Sequence, residues 1–308
     1  MPPAGGVEPE ISIVVPTRDR ATKLRRCLEA LGAQQTDAPL QIVVVDDGST
    51  DDTARVLASA PAVESVRRPR GGRAAARNPG VERARGAVVL FIDDDVVATD
   101  GLVQRHLDHH RRHPAEHEAL IGRVTWAPEL EITPHMLWLE DGGPLFAFNE
   151  IADPESVDWR HFCTANASVK RSFLPSEQPF DEELQRCVDI ELGYRLQRSG
   201  MRLRYDAEAL GHHLRVDTPR STEVRMREVG RAMRRVHHKH PELVEPPAPF
   251  TPLSHVKAAL ARPVDPVLRR LGVTALEERL YSYRAARAYA QGYAESDRVL
   301  RGAGEARA

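Results

Sequence analysis

The stretch VVLFIDDD at residues 88–95 decides the fold, because an apolar run ends there in three adjacent carboxylates. Five consecutive apolar residues, four of them β-branched or aromatic, predict a short buried strand. The negative charges of Asp93, Asp94 and Asp95 repel one another at the end of this strand, so an offsetting cation is expected. Hard oxygen ligands of this kind suit a divalent metal ion.

A second acidic turn follows another apolar run. The sequence IVVV at residues 42–45 leads into Asp46 and Asp47, and then into Gly48 and Ser49. Ligands of open α/β sheets bind at the carboxyl ends of the strands, so both acidic turns are expected at one edge of a parallel sheet. The alternative is that the two aspartates only shape a turn before a helix, because Asp, Gly and Ser favour turns.

Strand and helix patterns alternate between residues 11 and 113, which predicts a mostly parallel sheet with helices on both faces. Strands are predicted at residues 11–15, 41–45, 63–67, 87–92, 119–126 and 202–214, with an extended segment at 161–171. Helices are predicted at residues 21–32, 49–59, 71–83, 101–113, 188–199 and 219–240, with a short one near 134–139. Prolines between residues 241 and 252 predict a hinge before a mostly helical C-terminal segment.

The composition fits a globular protein with one large domain or two small ones. The chain has 308 residues, of which 41% are hydrophobic and 29% are charged. No apolar stretch approaches the length of a membrane span, and the first residues lack the pattern of a secretion signal. Cys27, Cys163 and Cys187 follow no disulfide or zinc spacing. We therefore expect a reduced, cytoplasmic setting.

Positive charge is concentrated in two stretches, residues 67–85 and 220–240, each with seven Lys or Arg. Such stretches attract nucleic acid, anionic lipid or a phosphorylated small molecule. Aromatic residues make up only 5% of the chain, and none lies within the first stretch. A stacking platform for single-stranded nucleic acid is therefore disfavoured, and no nucleic-acid partner is predicted.

A series of motifs resembles the family-two glycosyltransferases, which have the GT-A fold and use nucleotide sugars. In chain order the motifs are ISIVVPTRDR at 11–20, VDDGSTD at 45–51, ARNPG at 76–80, GAVVLFIDDD at 86–95, TANAS at 164–168, FDEE at 180–183 and DIELGYRL at 189–196. Each motif alone is weak evidence. Their order and spacing over residues 10–215 make a strong family signal.

The resemblance implies an α/β GT-A fold with a mostly parallel sheet, flanking helices and a helical C-terminal extension. Residues 1–217 would form the catalytic domain, in which about 10–115 bind the nucleotide sugar and 116–217 bind the acceptor. Residues 218–308 would hold the basic helix, a Pro-rich hinge and the extension. The implied reaction uses Mn²⁺ or Mg²⁺ and moves a sugar from a nucleoside-diphosphate sugar to a hydroxyl or amine, with inversion.

The resemblance also assigns residues to the donor. The donor-binding residues would be Pro16, Thr17, Asp47, Arg77, Asp93 and Asp94. Asp47 would accept a hydrogen bond from N3–H of uracil or thymine, which favours a UDP- or dTDP-linked sugar. Arg77, together with Arg73, would bring positive charge to the diphosphate. The alternative for these arginines is a solvated helix face.

The remaining implied roles concern the metal and the acceptor. Asp95 is the expected metal ligand, and His213 is expected to join it unless it is an ordinary half-buried strand histidine. Asp189 is the expected general base, although Val188 precedes it where the family usually carries Glu. Glu191 is the alternative base, and a helix N-cap is the alternative role of Asp189.

Other functions stay open from the sequence. A nucleotidyltransferase would release pyrophosphate, and a non-catalytic nucleotide-sugar-binding or scaffold protein would bind without turnover. A dinucleotide oxidoreductase is disfavoured because no GxGxxG motif follows the first strand. The acceptor is not identified. The helices of residues 253–308 leave a homodimer open, and the basic helix leaves contact with a membrane surface open.

Two further features concern histidine and tryptophan. His106, His109, His110 and His113 are spaced like metal ligands on a helix, but we expect four neutral surface imidazoles. Trp138 falls in the irregular region 127–160, which would be the acceptor side, where an indole can stack on a sugar.

Overall fold

The computed structural model describes residues 8–141, 143–243, 272 and 274–305. Its strands are β1 (Ile11–Thr17), β2 (Leu40–Asp46), β3 (Glu64–Arg67), β4 (Val88–Ile92), β5 (Val96–Ala98), β6 (Glu118–Trp126), β7 (Asn166–Lys170) and β8 (Arg202–His213). Its α-helices are α1 (Ala21–Gly32), α2 (Thr53–Ala58), α3 (Arg73–Arg83), α4 (Leu102–Arg112), α5 (Pro134–Asp141), α6 (Val188–Arg198), α7 (Pro219–Lys239) and α8 (Ala275–Glu305). Short 3-10 turns lie at Phe148–Glu150, Trp159–His161 and Arg171–Phe173.

The eight strands form one mixed sheet in the order β3-β2-β1-β4-β7-β6-β8-β5. Strand β1 pairs in parallel with β2 and β4, β2 with β3, and β6 with β8. Strand β7 runs antiparallel to β4 and β6, and β5 runs antiparallel to β8. The prediction of an α/β fold with a largely parallel sheet, flanking helices and a helical C-terminal segment is confirmed.

Strand β4 is apolar throughout, and β1 is apolar except for Ser12 and Thr17, because both strands are central and covered on both faces. Most of their side chains have no exposed surface, and each Val, Ile, Leu or Phe buried in this way contributes roughly 1.5–3 kcal/mol. Gly86 lets β4 begin beside β1, since a Cβ there would lie 2.7 Å from the Ile11 carbonyl carbon. The registers align Val14 with Phe91 and Thr17 with Asp46, which brings the carboxyl ends of β1, β2 and β4 together.

The chain divides into two compact units. The first contains the sheet and runs up to Glu129, then over Ile151–Glu183 and Val188–Arg215. The second covers Leu130–Glu150, Leu184–Cys187 and the chain from Val216 onward. The predicted hinge beyond residue 243 and most of residues 253–274 lie outside the described residues.

In the second unit, α7 and α8 pack with their backbones very close together. A Cβ on Gly292 would lie 1.9 Å from the Arg227 carbonyl oxygen, and one on Gly230 would lie 2.1 Å from that of Tyr289. Two glycines are therefore required where the helices cross. Any larger side chain would push the helices apart.

The positive charge of α7 is offset within the second unit. Arg227 and Arg231 form ion pairs with Glu295 of α8, and Arg234 lies 2.7 Å from Asp297. In the residues that the structure describes, none of the helices combines the length and the apolar character needed to cross a membrane.

Candidate active site

A cleft of about 270 Å³ opens in the first unit at the carboxyl ends of β1, β2 and β4. Its lining residues are Pro16, Thr17, Arg18, Arg20, Asp47, Gly72, Arg73, Ala76, Arg77, Asp93 and Asp94. All six residues predicted to bind the donor are among them. Helix α3 begins at this cleft, and the unsatisfied N–H groups of a helix N-terminus favour an anion.

The turn after β2 is tied to the loop that precedes α3. The two carboxylate oxygens of Asp47 accept hydrogen bonds of 2.8 Å from the backbone N–H groups of Gly71 and Gly72. Asp46 accepts one from the Ser49 N–H, also at 2.8 Å, and thus shapes its own turn. Asp47 consequently does more than shape a local turn: it fixes the N-terminal approach of α3 and still lines the cleft.

The loop after β1 is fixed against the same turn. Asp19 has a left-handed backbone with φ of 50°, a conformation that costs energy in a residue other than glycine. Its N–H donates to the Ser49 hydroxyl at 2.9 Å, and its carboxylate accepts from the Thr50 N–H at 2.7 Å. These bonds hold the cleft walls formed by the β1 and β2 loops together.

Arg77 is a buried partner of the first residue of the acid triplet Asp93–Asp95. Only 2% of Arg77 is exposed, and its Nη2 lies 2.7 Å from Asp93 Oδ1. The guanidinium also lies 5.8 Å from the ring centre of Phe180. The alternative of a solvated helix face is therefore wrong for Arg77, whereas Arg73 is half-buried and lines the cleft.

The other two carboxylates of the acid triplet share one cation. Asp94 accepts a hydrogen bond of 2.7 Å from the Thr17 hydroxyl. Nη1 of Arg20 lies 2.8 Å from Asp94 Oδ1 and 2.9 Å from Asp95 Oδ2. The remaining oxygen of Asp95 lies 3.2 Å from Nε2 of His213. Both aspartates are buried, so these partners replace the water that the charges have lost.

The two neighbouring carboxylates have pKa values shifted in opposite directions. Burial raises the pKa of Asp94 to about 6, and the positive charge of Arg20 only partly opposes this shift. Burial also acts to raise the pKa of Asp95, but the hydrogen bond to His213 and the positive charges of Arg20 and Lys23 outweigh it and leave that pKa lowered. Asp95 is therefore the more firmly ionised member of the pair.

The donors around Asp95 suit a divalent metal ion in chemical type. Its carboxylate touches the imidazole of His213, which stacks on Trp126 with ring centres 5.6 Å apart. His213 reaches this position because β8 pairs with β5 at the register of Val96. No group of three or more His, Cys, Asp or Glu side chains is gathered for a metal among the described residues. Magnesium is commonly held by one or two carboxylates plus substrate phosphates and water, so two protein donors fit such a site.

Asp189 begins α6 but does not line the cleft. It is half-buried, and its carboxylate accepts only the N–H of Ile190 at 3.0 Å among the bonds described. Burial is the largest cause that raises the pKa of the Cys163 thiol, and the negative charges of Asp189 and Asp93 raise this pKa further. Asp189 and Asp93 thus both lie within electrostatic range of the same thiol.

The alternative base, Glu191, is held in an ion pair. It is buried, and its two oxygens lie 2.7 and 2.8 Å from the guanidinium of Arg195, which also donates to the Pro179 carbonyl. This arrangement anchors α6 to the preceding loop. Among the described contacts, Asp189 is not held in an ion pair of this kind.

Two contributors to the site were not predicted from the sequence. Arg20 lies within the quoted motif of residues 11–20 but was assigned no role. Asn78 exchanges two hydrogen bonds of 2.9 Å with the backbone of Phe180, which packs edge-on against Phe91 of β4. The signal for both is their position in the motifs, one directly after Asp19 and the other directly after Arg77.

The predicted surface location of the α4 histidines is wrong for three of the four. His106, His109 and His110, here called the histidine cluster, are buried, because this face of α4 packs on the sheet. His106 contacts the side chains of Ser168 at 2.7 Å and Asn166 at 2.9 Å, and His110 contacts the same Ser168 at 2.8 Å.

Asn166 of the TANAS motif and Trp138 are both internal. The amide of Asn166 also donates to the Ala209 carbonyl, so its role is structural. Trp138 has 1% exposure in the second unit, where it packs against Tyr281 with ring centres 5.6 Å apart. This indole is therefore not available to stack on a sugar.

Comparison with known proteins decides the family. The profile described as "Glycosyl transferase family 2" matches residues 12–174, which is more than half of the chain. The chain belongs to glycosyl transferase family 2. A curated relative, the validoxylamine A glucosyltransferase of Streptomyces hygroscopicus subsp. limoneus, is 31% identical over 276 residues, covering 79% of this chain and 60% of the relative. The chain spans between 44% and 64% of the length of the first five curated relatives that it matches.

Solved structures share the fold of this family member. A mannosyltransferase from Pyrobaculum calidifontis, in complex with GDP-Man and Mn²⁺, has a TM-score of 0.59 at 17% identity, covering 94% of this chain and 87% of its own. S. aureus TarS 1-349 in complex with UDP-GlcNAc has a TM-score of 0.51 at 16% identity, covering 96% and 92%. These likenesses establish the GT-A fold.

Proposed function

We propose that the chain transfers a sugar from a nucleoside-diphosphate sugar bound in the cleft to an acceptor hydroxyl or amine. The observation that carries this proposal is the cleft itself, in which Asp93 and Asp94 of the acid triplet, arginines beside them and the N-terminus of α3 converge. Arginine guanidinium and helix N–H groups bind phosphate oxygens well. Clustered carboxylates in the same cleft make sense when a cation and a diphosphate are bound together.

The nucleoside is proposed to lie against Pro16, Thr17 and Asp47, with the diphosphate toward Arg73 and Arg77. Asp47 would accept N3–H of uracil or thymine on its free lone pairs, because Gly71 and Gly72 occupy only one position on each oxygen. We therefore propose a UDP- or dTDP-linked donor. A GDP sugar belongs in the test, since the mannosyltransferase neighbour was crystallised with GDP-Man.

Metal dependence is part of the proposal. Asp95 and His213 would hold Mn²⁺ or Mg²⁺, with Asp93 and Asp94 beside the ribose and phosphates. When bound, the ion supplies positive charge for the diphosphate that departs. Arg77 meanwhile holds Asp93 in place, and Thr17 holds Asp94.

Asp189 is the proposed general base. Its carboxylate would take the proton from the acceptor group while the acceptor oxygen or nitrogen bonds to the anomeric carbon. The bond from that carbon to the diphosphate oxygen breaks in the same displacement, so the anomeric centre inverts. A positioned base of this kind is worth about 10²–10⁴ in rate.

The remaining predictions stay as parts of the proposal. The acceptor would bind over residues 116–217 of a catalytic domain that ends near residue 217. A cytoplasmic location is retained, and none of the three cysteines forms a disulfide. The ion pairs of α7 with Glu295 and Asp297 lower the positive charge available for a membrane surface, so we do not favour that contact. A homodimer stays open.

The test is a binding and turnover panel. The protein is titrated calorimetrically with UDP, dTDP and GDP in the presence of Mn²⁺, and then incubated with the corresponding nucleotide sugars. We expect one nucleoside diphosphate to bind and to be released from its sugar. Asp95→Asn is expected to lose metal-dependent binding, while Asp153→Asn, an exposed carboxylate of the same unit, is expected to behave as wild type.

The products separate the proposal from its alternatives. Pyrophosphate in place of a nucleoside diphosphate would indicate nucleotidyl transfer. Nucleotide binding with no release from any sugar would indicate a binding or scaffold protein. Absence of both binding and release with all three nucleotides contradicts the proposed function.

A further inference from the structure

The side chain of Arg20 occupies part of the proposed metal site, because it lies on Asp95, the proposed metal ligand, and on the neighbouring Asp94. A single nitrogen, Nη1, contacts an oxygen of each carboxylate at 2.8 and 2.9 Å. Both carboxylates are buried and are pointed at the cation by Thr17 and His213 on their other oxygens. The two carboxylate oxygens that face Arg20, one of Asp94 and one of Asp95, are therefore bound to a cation that belongs to the chain.

The acid triplet is balanced in charge without a metal ion. Arg77 pairs with Asp93 at 2.7 Å, Arg20 bridges Asp94 and Asp95, and Lys23 lies 3.7 Å from Asp95. Three negative charges thus face three positive ones. A divalent ion added to this balanced, largely buried group would bring two positive charges with nothing to offset them.

The side chain of Arg20 is also able to move away from Asp94 and Asp95. Its side chain is 37% exposed, in contrast to the 3% of Arg77, and its guanidinium already lines the cleft. Its backbone is fixed by the start of α1, where the Leu24 N–H donates to the Arg20 carbonyl at 2.9 Å. The guanidinium can therefore exchange a carboxylate for a phosphate without any change in the backbone.

From these observations we propose that Arg20 closes the metal site of the empty enzyme and that the diphosphate opens it. The arriving phosphates draw the guanidinium away from Asp94 and Asp95. The Asp95 carboxylate freed in this way would hold the divalent ion together with His213 and the phosphates. Nucleotide thus binds first and metal second, and this order rests on the proposed function, because it requires a nucleoside diphosphate in the cleft.

The test measures Mn²⁺ binding rather than activity. Free Mn²⁺ is followed by its electron paramagnetic resonance signal during titration of wild type, Arg20→Gln, Arg20→Lys and Lys23→Gln, each without nucleotide. Arg20→Gln is expected to bind Mn²⁺ about tenfold more tightly than wild type, because the competing guanidinium no longer occupies the carboxylates. Arg20→Lys, which keeps the charge, is expected to fall between the two.

Lys23→Gln is the matched control, because it removes the same charge from a more distant position. Its Mn²⁺ affinity is expected to rise less than about threefold. Equal gains in Mn²⁺ affinity for Lys23→Gln and Arg20→Gln would mean that only the net charge matters. That result would overturn the proposal. An unchanged or weaker affinity in Arg20→Gln, with a thermal transition like that of wild type, would overturn it as well. If Arg20→Gln does not fold, an unchanged affinity in Arg20→Lys has the same consequence.

A second arm repeats the wild-type titration with saturating UDP, dTDP or GDP. We expect the nucleotide that binds to tighten Mn²⁺ binding, and to do so much less in Arg20→Gln. Equal tightening in both proteins overturns the proposed order. Failure of all three nucleotides to bind contradicts the proposed function, whereas the comparison without nucleotide still tests Arg20.

Discussion

The acid triplet Asp93–Asp95 and the histidine cluster of α4 are both groups of buried titratable side chains in the first unit, yet they remain buried by opposite means. The acid triplet keeps its charges and surrounds them with Arg77, Arg20 and other cations. The histidine cluster gives up its charge: burial lowers the pKa of His106 to about 4 and that of His110 to about 2. Retained charge marks the group that can bind a ligand, and suppressed charge marks the group that only packs.

The largest expected effect is on the reaction. Asp189→Asn is expected to lower kcat by about 10³, because the acceptor loses its proton acceptor. Nucleotide binding should be unchanged, since Asp189 lies outside the cleft lining. The measurement pairs steady-state turnover of the donor found in the panel with calorimetric titration of its nucleoside diphosphate.

Glu82→Gln is the control for this change, since it also removes one exposed carboxylate of the first unit and lies outside the region proposed for the acceptor. It is expected to keep wild-type turnover. Undiminished kcat in Asp189→Asn would exclude this residue as the base. Glu191, despite its ion pair with Arg195, would then be the residue to test.

The next prediction concerns a substitution that removes one of the cations paired with the acid triplet. Arg77→Met is expected to lower the free energy of unfolding by about 3 kcal/mol, because it leaves Asp93 without its partner. Urea denaturation at neutral pH measures this loss. Arg83→Met, on the exposed side of the same helix, is expected to cost less than about 0.5 kcal/mol.

A small loss in Arg77→Met, similar to that of Arg83→Met, would mean that Asp93 does not depend on its ion pair. The acid triplet would then resemble the histidine cluster, in which packing alone suffices. The comparison between the two groups would lose its basis.

The smallest effect per residue is a gradual one and concerns the histidine cluster. The pKa values of His106, His109 and His110 are lowered by burial to about 4, 3 and 2. The unfolded chain therefore binds more protons than the folded protein below about pH 6.5. The free energy of unfolding consequently decreases as the pH is lowered. Each histidine contributes up to about 1.4 kcal/mol per pH unit.

Asp94 acts in the opposite direction in the same range. Its pKa of about 6 in the folded protein lies above the usual value of 3.8, so it favours the folded state as pH falls. The one proton that Asp94 binds in the folded protein does not offset the three that the histidines of the cluster bind only in the unfolded chain. Urea denaturation at pH 7, 6 and 5 is therefore expected to show decreasing stability, and a flat profile would contradict this account.

Single substitutions sharpen the pH prediction. His109→Leu is expected to reduce the slope by about one proton, because it removes one buried imidazole. His117→Gln, at a half-exposed position near the start of β6, is expected to leave the slope unchanged. An unchanged slope in His109→Leu would assign the acid sensitivity to other groups.

The sequence predicts the local elements of this fold better than their partners. Helix α1 was predicted at residues 21–32, its observed bounds, because Leu24, Leu28 and Leu31 lie on one face. Strand β5 was not predicted, since its three residues form a strand only through pairing with β8, more than 110 residues later. The burial of the histidine cluster likewise depends on Ser168 of β7 and could not be inferred from α4 alone.

The candidate site shows the same division. The carboxylates could be placed at one sheet edge because strand ends are readable as apolar runs followed by acids. The bridging role of Arg20 could not be predicted from the sequence, because it depends on which rotamer of Arg20 reaches two carboxylates 74 and 75 residues away. Position in a motif indicates that a residue matters, whereas its contacts require coordinates.

The place of β7 in the sheet has a consequence for biosynthesis. Strand β4 is complete only when β7, which begins at Asn166, pairs along its free edge. Until roughly 80 further residues have left the ribosome, the apolar segment Val88–Ile92 presents an open strand edge, which invites pairing with other chains. Fragments that end before β7 are therefore expected to self-associate, and chain completion should be a slow, chaperone-sensitive stage of folding.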